Sequence, residues 1–516
     1  MKQKFFITTA IDYPNGAPHL GHAYEKVVSD CYARWYRLMG NDVFFLTGTD
    51  ENGQKLSKAA EQAGASSTQN YVDENVLKFR KLCADLKISN NDFIRTTEPR
   101  HYQIVAWFWE KLKANGDIYL DRYSGHYCLA CEAFYTETQS KNGKCPVHET
   151  DLQFMEENGY FFRLSKYQDW ITEYIKNNPE FLFPSNIRSE LLSRLDGDKL
   201  LDLSISRPNQ GWGIPVPGDK DMVVYTWFDA LINYYTGAVI DVNSQDISAQ
   251  KNWPASMHVI GKDISWFHSV IWPSMLKSAG LEIPKQVYVH GMVLGSDGKR
   301  MSKTAGNGVS PEECLEQFHI DSLKYYLLKA IPSGQDGAFS TDEVIRAHNN
   351  ELANEYGNLL MRVVKLSLRS LGSIVKPSDV QSPETQSKES VNLSGAVDFK
   401  LDFYAKVKEE MQEREHHRAL NTIWSGVRQL NSYINQKEPW KMKDDPQGVQ
   451  RVMYTALLNL NFITVLLTAF IPDSAESARK LLGAQMDKEE SLNFVMKEFH
   501  LSDGTPLFPR IETKKT

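Results

Sequence analysis

Apolar residues recur along this chain with two different periods, and the change from one to the other marks out its parts. "KFFITTAI" (4–11) is a short β-rich apolar run, closed by the turn stretch "DYPNGAPHLG". From Ala23 the apolar positions Val27, Val28, Cys31, Trp35 and Leu38 fall at helical spacing, and Gly40 follows as a stop. "DVFFLTGTD" then predicts a second buried strand. Strand, helix and strand joined in this way form a βαβ unit, hence a parallel sheet. Helical patterns continue to about residue 115, and a less regular Cys- and Gly-containing region spans 116–215. "DMVVYTWFDALINYY" and "SMHVIGKDISWFHSVIWPSML" restore the strand-plus-helix texture, and "KQVYVHGMVLGSDGKRMSKTAGN" reads as a strand running into a Gly/Ser/Lys loop. After about residue 345 the strands stop. "NNELANEYGNLLMRVVKLSLRSL", "ALNTIWSGVRQLNSYI" and "VQRVMYTALLNLNFITVLLTAF" all predict helices, with a Ser/Pro/Gln-rich loop or linker over 374–396. The pattern is that of an α/β body with an insertion, carrying a C-terminal helical bundle.

Composition narrows the function classes. At 516 residues the chain exceeds one compact core, and 41% hydrophobic with 24% charged residues is the balance of a folded globular protein. No run of about 18 apolar residues is present, so no membrane span is expected. "MKQKFFITTAIDY" lacks the long apolar core of a signal peptide, which points to the cytoplasm. A net charge of -7 excludes a uniformly basic nucleic-acid coat but not a local basic face. Six cysteines in this length do not make a disulfide scaffold.

The first βα loop carries "HLGH". A helix N-terminus offers unpaired N–H groups and partial positive charge, which suits phosphate. His19 and His22 are candidate donors to phosphate oxygens, and Gly21 lets a flat ring approach the backbone. Alone, the motif is equally a polar helix cap. "DGKRMSKTAGN" adds Lys299, Arg300, Ser302 and Lys303 within a Gly-flanked loop. Such a loop is usually solvated, but it can also fold over a triphosphate and stabilise a departing pyrophosphate. Together the two motifs describe nucleotidyl transfer from ATP by positioning and charge stabilisation.

"HLGH" and "RMSKT" resemble the HIGH and KMSKS signatures of class I aminoacyl-tRNA synthetases. "LTGTDENGQK", "LDLSISRPNQGWGIPVPGD", "YTWFDALINYY", "IGKDISWFHSVIWPSML" and "NEYGNLLMRVV", in that order, resemble the methionine-specific branch over nearly the whole chain. The resemblance implies a Rossmann-type catalytic domain over 1–115 and 216–290 and a connective insertion with a zinc knuckle over 116–215. A linking domain with the signature loop (291–345) and a helical anticodon-binding domain (346–516) would follow. It implies that the chain forms methionyl-adenylate from L-methionine and Mg2+-ATP, then passes the methionyl group to tRNA(Met). His19, Gly21 and His22 would hold ATP with Lys262, Asp263, His290, Val293, Lys299, Arg300 and Ser302, and Lys303 would be the main transition-state cation. His19, His22 and Lys303 would thus be the catalytic set. Asp50 would pair with the substrate ammonium, and Ile11, Tyr13, Trp227, Ala230, Tyr234, Ile264 and His268 would line the side-chain pocket. Any one of those aromatics is as readily core; as a set at strand ends they suit a thioether, with Tyr13 and His268 as weak donors to it. Two positions depart from the family pattern. Arg300 stands where the first signature lysine is expected, and Asp12 where a less polar residue is expected.

Cys128-x2-Cys131, thirteen residues and Cys145-x2-His148 have the spacing of a closed tetrahedral zinc site, with no position left for catalysis. In the helical part Asn358 and Arg362 lie four apart, and Trp440 follows a proline near Lys441 and Lys443. Aromatic, cationic and amide groups of this kind can stack and read unpaired bases, though a surface helix face and a core tryptophan are the plainer reading. The resemblance makes the three candidates for the anticodon. No appended dimerising module is recognised, so a monomer is expected. A sister enzyme for Leu, Ile or Val would need a larger editing insertion. A cysteine enzyme would be expected to hold its metal in the catalytic pocket. Another nucleotidyltransferase would not need the helical end.

Overall fold

The computed structural model describes residues 2–128, 133–135, 140, 143–145, 150–197, 199–240, 252–301, 309–376, 403–483, 492 and 498–512. Its centre is a sheet of six strands: β1 (Lys4–Thr9), β2 (Asp42–Thr49), β3 (Asp92–Arg95), β4 (Leu182–Phe183), β5 (Met257–Gly261) and β6 (Val287–His290). The spatial order is β3-β2-β1-β5-β6-β4, and every neighbouring pair is parallel. Apolar side chains cover both faces, which is why the strands are continuous apolar runs in the sequence. Phe5 and Ile7 point to the face covered by helix α1 (Leu20–Leu38), whereas Phe6 points to the face covered by α2 (Thr226–Val239). The core on the α1 side runs without a break into the C-terminal helices, through Leu420, Trp424 and Phe462.

From β1 the chain first builds outward to β2 and β3, and later returns to build β5 and β6 on the other side of β1. That reversal opens a crevice beyond the carboxyl ends of β1 and β5, the place where open parallel sheets bind ligands. α1 starts three residues ahead of the predicted Ala23 and ends as predicted, with Gly40 at φ +83° behind its last turn.

The region 116–215 is more regular than its texture suggests. Ala133–Tyr135, Ile118–Cys128, Gln153–Phe162 and Leu203–Ser204 form a four-stranded antiparallel sheet, in register from Ile118↔Phe162 to Tyr127↔Gln153. Leu120 and Phe154 on these strands are exposed, so apolar residues do not mark a buried face and no alternation shows.

The C-terminal part contains α3 (Asn358–Leu371), α4 (His416–Lys437), α5 (Pro446–Leu467) and α6 (Pro472–Leu482). A π-helical stretch, His348–Gly357, leads directly into α3. One strand pair does occur past residue 345, against the sequence expectation: Ile374–Val375 pairs with Phe499–His500. Two residues per strand are too few to leave a period. Most of the expected linker, 377–396, lies outside the described residues.

Candidate functional site

The amino end of α1 opens into the crevice. His19 is its N-cap: Gly21 N–H donates to His19 Nδ1 (3.0 Å), and His19 N–H donates to His22 Nδ1 (3.1 Å). The rings stack with centroids 3.7 Å apart. An Nδ1 that accepts a hydrogen bond carries no proton, so each neutral ring has its N–H at Nε2. Burial, followed by His19 and Lys26, pushes His22 well below the usual histidine range, which keeps that ring neutral. Gly21 must be bare because of His19: a Cβ there would stand 2.8 Å from the ring carbon Cε1. The flat ring that approaches this backbone is therefore the protein's own.

Asp12, unexpected from the family pattern, has a definite place. Its backbone extends the β1–β2 ladder past the strand ends, through Asp12 N–H to Gly48 O (2.9 Å) and Asp50 N–H to Asp12 O (2.8 Å). Its buried carboxylate pairs with the buried Lys26 ammonium. Burial outweighs that attraction and raises Asp12 to about 6.

Asp50 follows β2 and is buried at the same edge. Beside it, Asn52 Nδ2 donates to Thr96 O (3.0 Å) and to Asp229 Oδ2 (2.7 Å). Asp229, in the first turn of α2, is fully buried, and its second oxygen has no hydrogen-bond partner among the described residues. Burial, reinforced by the charge of Asp50, raises Asp229 well above the carboxylate range. Burial thus disfavours a second negative charge beside Asp50, the carboxyl expected to meet the substrate ammonium.

The residues expected to line the side-chain pocket come from the end of β1, from α2 and from the turns after β5. Tyr13 lies against Gly53, which has no room for a Cβ. Trp227 stacks on Phe267 at 4.0 Å, Ala230 and Tyr234 are buried on α2, and Ile11 and Ile264 pack against the same core. His268 requires a correction. Its Nδ1–H donates to Ile264 O (3.0 Å), and its Nε2 accepts from Tyr234 O–H (2.7 Å). Burial lowers it to about 4, so the ring is neutral and has no N–H to offer a thioether. The ring's second neighbour was invisible in one dimension.

On the nucleotide side, His290 ends β6 with Nδ1 on Gly291 O (2.8 Å) and Nε2 on Glu25 Oε2 (3.0 Å). Two acceptors on one imidazole call for two N–H groups. Burial opposes the charge, but the hydrogen bond and charge of Glu25 outweigh it and raise the His290 pKa. A Cβ at Gly261 would stand 2.9 Å from Asp263 Oδ1 and 3.9 Å from the His290 ring, so β5 and β6 deliver Asp263 and His290 to one place. Lys262 is exposed and Val293 buried. Lys299 and Arg300 are exposed on a turn closed by Gly295 N–H to Lys299 O (2.8 Å), beside the antiparallel bridge Leu294↔Arg300. Ser302 and Lys303 lie outside the described residues.

Glu25, Lys26, Asn52 and Asp229 were not singled out by the sequence reading. Glu25 and Lys26 follow His22 by three and four positions on α1, a helical face shared with a candidate ligand, and that spacing was available as a signal.

Cys128 and Cys145 are buried, while Cys131 and His148 lie outside the described residues. Cys128 Sγ is 3.8 Å from Thr150 Oγ1, and Cys145 N–H donates to Thr150 O (2.8 Å), so Thr150 sits beside both knuckles. No group of three metal-binding side chains occurs among the described residues. On the helical part Asn358 is exposed, Arg362 half-buried, and Trp440 43% exposed, which is not a core tryptophan. No helix among the described residues is long and apolar enough to cross a membrane.

Comparison with known proteins identifies the family. Residues 5–153 and 138–364 match the family described as tRNA synthetases class I (M), and 380–509 match the anticodon binding domain of methionyl tRNA ligase. A methionine–tRNA ligase of Brucella melitensis is 40% identical over 99% of this chain and 98% of its own length. One from Caldanaerobacter subterraneus is 40% identical over 100% of this chain and 80% of its own. The structure of Mycobacterium tuberculosis methionyl-tRNA synthetase in complex with methionyl-adenylate superposes with a TM-score of 0.89, at 36% identity, over 98% of this chain and 100% of that one. The chain belongs to the methionyl-tRNA synthetase family of class I tRNA synthetases.

Proposed function

We propose that the crevice carries out both half-reactions of methionine–tRNA ligation. In the first, a methionine carboxylate oxygen attacks the α-phosphorus of ATP. A carboxyl–phosphate bond forms, the α–β phosphoanhydride breaks, and pyrophosphate leaves with the bonding pair. In the second, a terminal ribose hydroxyl of tRNA(Met) attacks the activated carbonyl, its proton passes to solvent, and AMP leaves. The observation that carries this reading is the state of the two histidines. Both Nδ1 atoms are committed to backbone N–H groups, so two Nε2–H donors stand at a helix N-terminus in the sheet crevice. Asp50, next to the buried Asp229, seats the ammonium; His290 and Asp263 take the nucleoside side. Mg2+ bound with ATP supplies further charge neutralisation on the phosphates. Lys303 and Arg300 bring cationic charge to the departing pyrophosphate, and Asn358, Arg362 and Trp440 read the anticodon.

Amino-acid-dependent ATP–pyrophosphate exchange with each of the twenty amino acids, without tRNA, tests the first half. Exchange with methionine is expected; exchange with leucine or cysteine would overturn the pocket assignment, and no exchange would overturn the chemistry. Lys303→Ala should lower exchange while leaving methionine binding intact. The cysteine and histidine thiolate–imidazole set 128, 131, 145 and 148 suits a structural Zn2+, with both described cysteines buried. One equivalent of zinc in purified protein, lost in Cys145→Ser, is the expected result. We also propose a cytoplasmic monomer, for which sedimentation at micromolar concentration is the check.

A further inference from the structure

Arg362 is held in an unusual way for a half-buried arginine. Its Nη1 donates to Asn435 Oδ1 (2.7 Å) and its Nη2 to Asn431 Oδ1 (2.9 Å), both on α4. Asn431 is itself oriented: its Nδ2 donates to Glu355 O (3.1 Å) and Val427 O (3.3 Å), so only its oxygen faces the guanidinium. Among the described residues no carboxylate lies in ion-pair range of Arg362. Glu355, two turns earlier on the same helical rod, pairs instead with Arg428 at 3.0 Å. Arg362 Nε has no hydrogen-bond partner among the described residues. Two amide oxygens thus fix the guanidinium plane without cancelling its charge. Nη2 also reaches the backbone oxygen of Asn431 at 3.4 Å, so at most three of its five N–H groups are taken up. Five residues beyond Asn435, after Glu438 at φ +43° and Pro439, Trp440 stands exposed.

We propose that Asn431 and Asn435 are positioning residues that hold Arg362, planar and electrically uncompensated, for an unpaired nucleobase presenting two adjacent acceptors. The inference rests on the anticodon reading of this face and adds to it. A carboxylate at either position would hold the same geometry more tightly, but it would neutralise the cation and repel phosphate. An amide holds it neutrally, so the attraction for RNA remains. Asn435 is exposed, so replacing it leaves the core intact.

The test compares full-length wild type with Asn435→Ala, Asn435→Asp and Arg362→Ala in three assays: methionine-dependent pyrophosphate exchange without tRNA, charging of tRNA(Met), and charging of a tRNA(Met) altered in one anticodon base. Exchange is expected to stay at the wild-type rate in both Asn435 variants. Asn435→Ala should lower kcat/KM for tRNA(Met) about tenfold, mainly through KM, and narrow the ratio between the two tRNAs. Asn435→Asp should lose at least as much, with a shallower salt dependence of KM. Wild-type charging by Asn435→Asp would overturn the charge argument, and wild-type discrimination by Asn435→Ala would overturn the positioning role. A fall in exchange that tracks the fall in charging would mean a structural defect and also overturn it. Wild-type charging by Arg362→Ala would instead remove the anticodon reading itself.

Discussion

Gly21 and Asp229 act through their neighbours. Gly21 leaves space for the His19 ring, and the ring in turn caps α1. Gly21→Ala should displace His19 from its cap and, through a shift of about 1 Å, lower pyrophosphate exchange by about 10²-fold. Thermal unfolding measured alongside should change far less than a core substitution changes it. Asp229 accepts from Asn52 within the turn that carries Asp50. Asp229→Ala should raise the methionine KM about tenfold at constant ATP KM, because the turn loses one of its anchors. Asp229→Asn keeps the acceptor for Asn52, so its kinetics should stay closer to wild type than those of Asp229→Ala. Equal losses in both variants would show that the ionised carboxylate matters and the anchor does not.

At the scale of elements, α1 is the part that joins chemistry to fold. Its first turn presents His19 and His22, its second holds Glu25 on His290 and Lys26 on Asp12, and its apolar face forms part of the core shared with the bundle. Lys26→Met would leave Asp12 buried without its cation, so a loss of about 3–5 kcal/mol is expected in urea unfolding. A loss below about 1 kcal/mol would mean that water reaches the carboxylate. Trp440 belongs to another element, the short turn after α4. Trp440→Ala should impair tRNA charging and leave exchange unchanged, since an exposed ring contributes little to packing. The helices and the parallel strands were legible because each buries an apolar stripe or run longer than a turn. The insertion's long antiparallel pair was not, because Leu120 and Phe154 face solvent.

For the whole molecule, buried histidines set the response to acid. Burial holds His101 and His416 at about 3, His268 at about 4, and His258 well below the ordinary range. In the unfolded chain each titrates near 6.5, so between that pH and the folded value the unfolded state binds more protons. Stability therefore falls as pH drops, at roughly 1.4 kcal/mol per pH unit for each such group. Asp12, raised from 3.8 to about 6, and Asp229, raised well above 3.8, run the other way: each binds its proton more tightly when folded, and together they offset part of the histidine effect. Urea midpoints should decline steadily from pH 6.5 toward 4, and a flat profile would show that these rings are hydrated.

The sequence by itself determined the element types of the parallel sheet and the helical bundle, the crevice loop, the identity of the family and the chemical classes of the site residues. These depend on local periodicity and on short motifs whose spacing the backbone preserves. Tertiary structure alone decided that His268 accepts from Tyr234, that Asp12 has Lys26 as its partner, and that Asp229 is buried beside Asn52 and Asp50. It also decided that Arg362 is held by amides. Protonation and charge pairing depend on what surrounds a group, and those surroundings come from residues tens to hundreds of positions away.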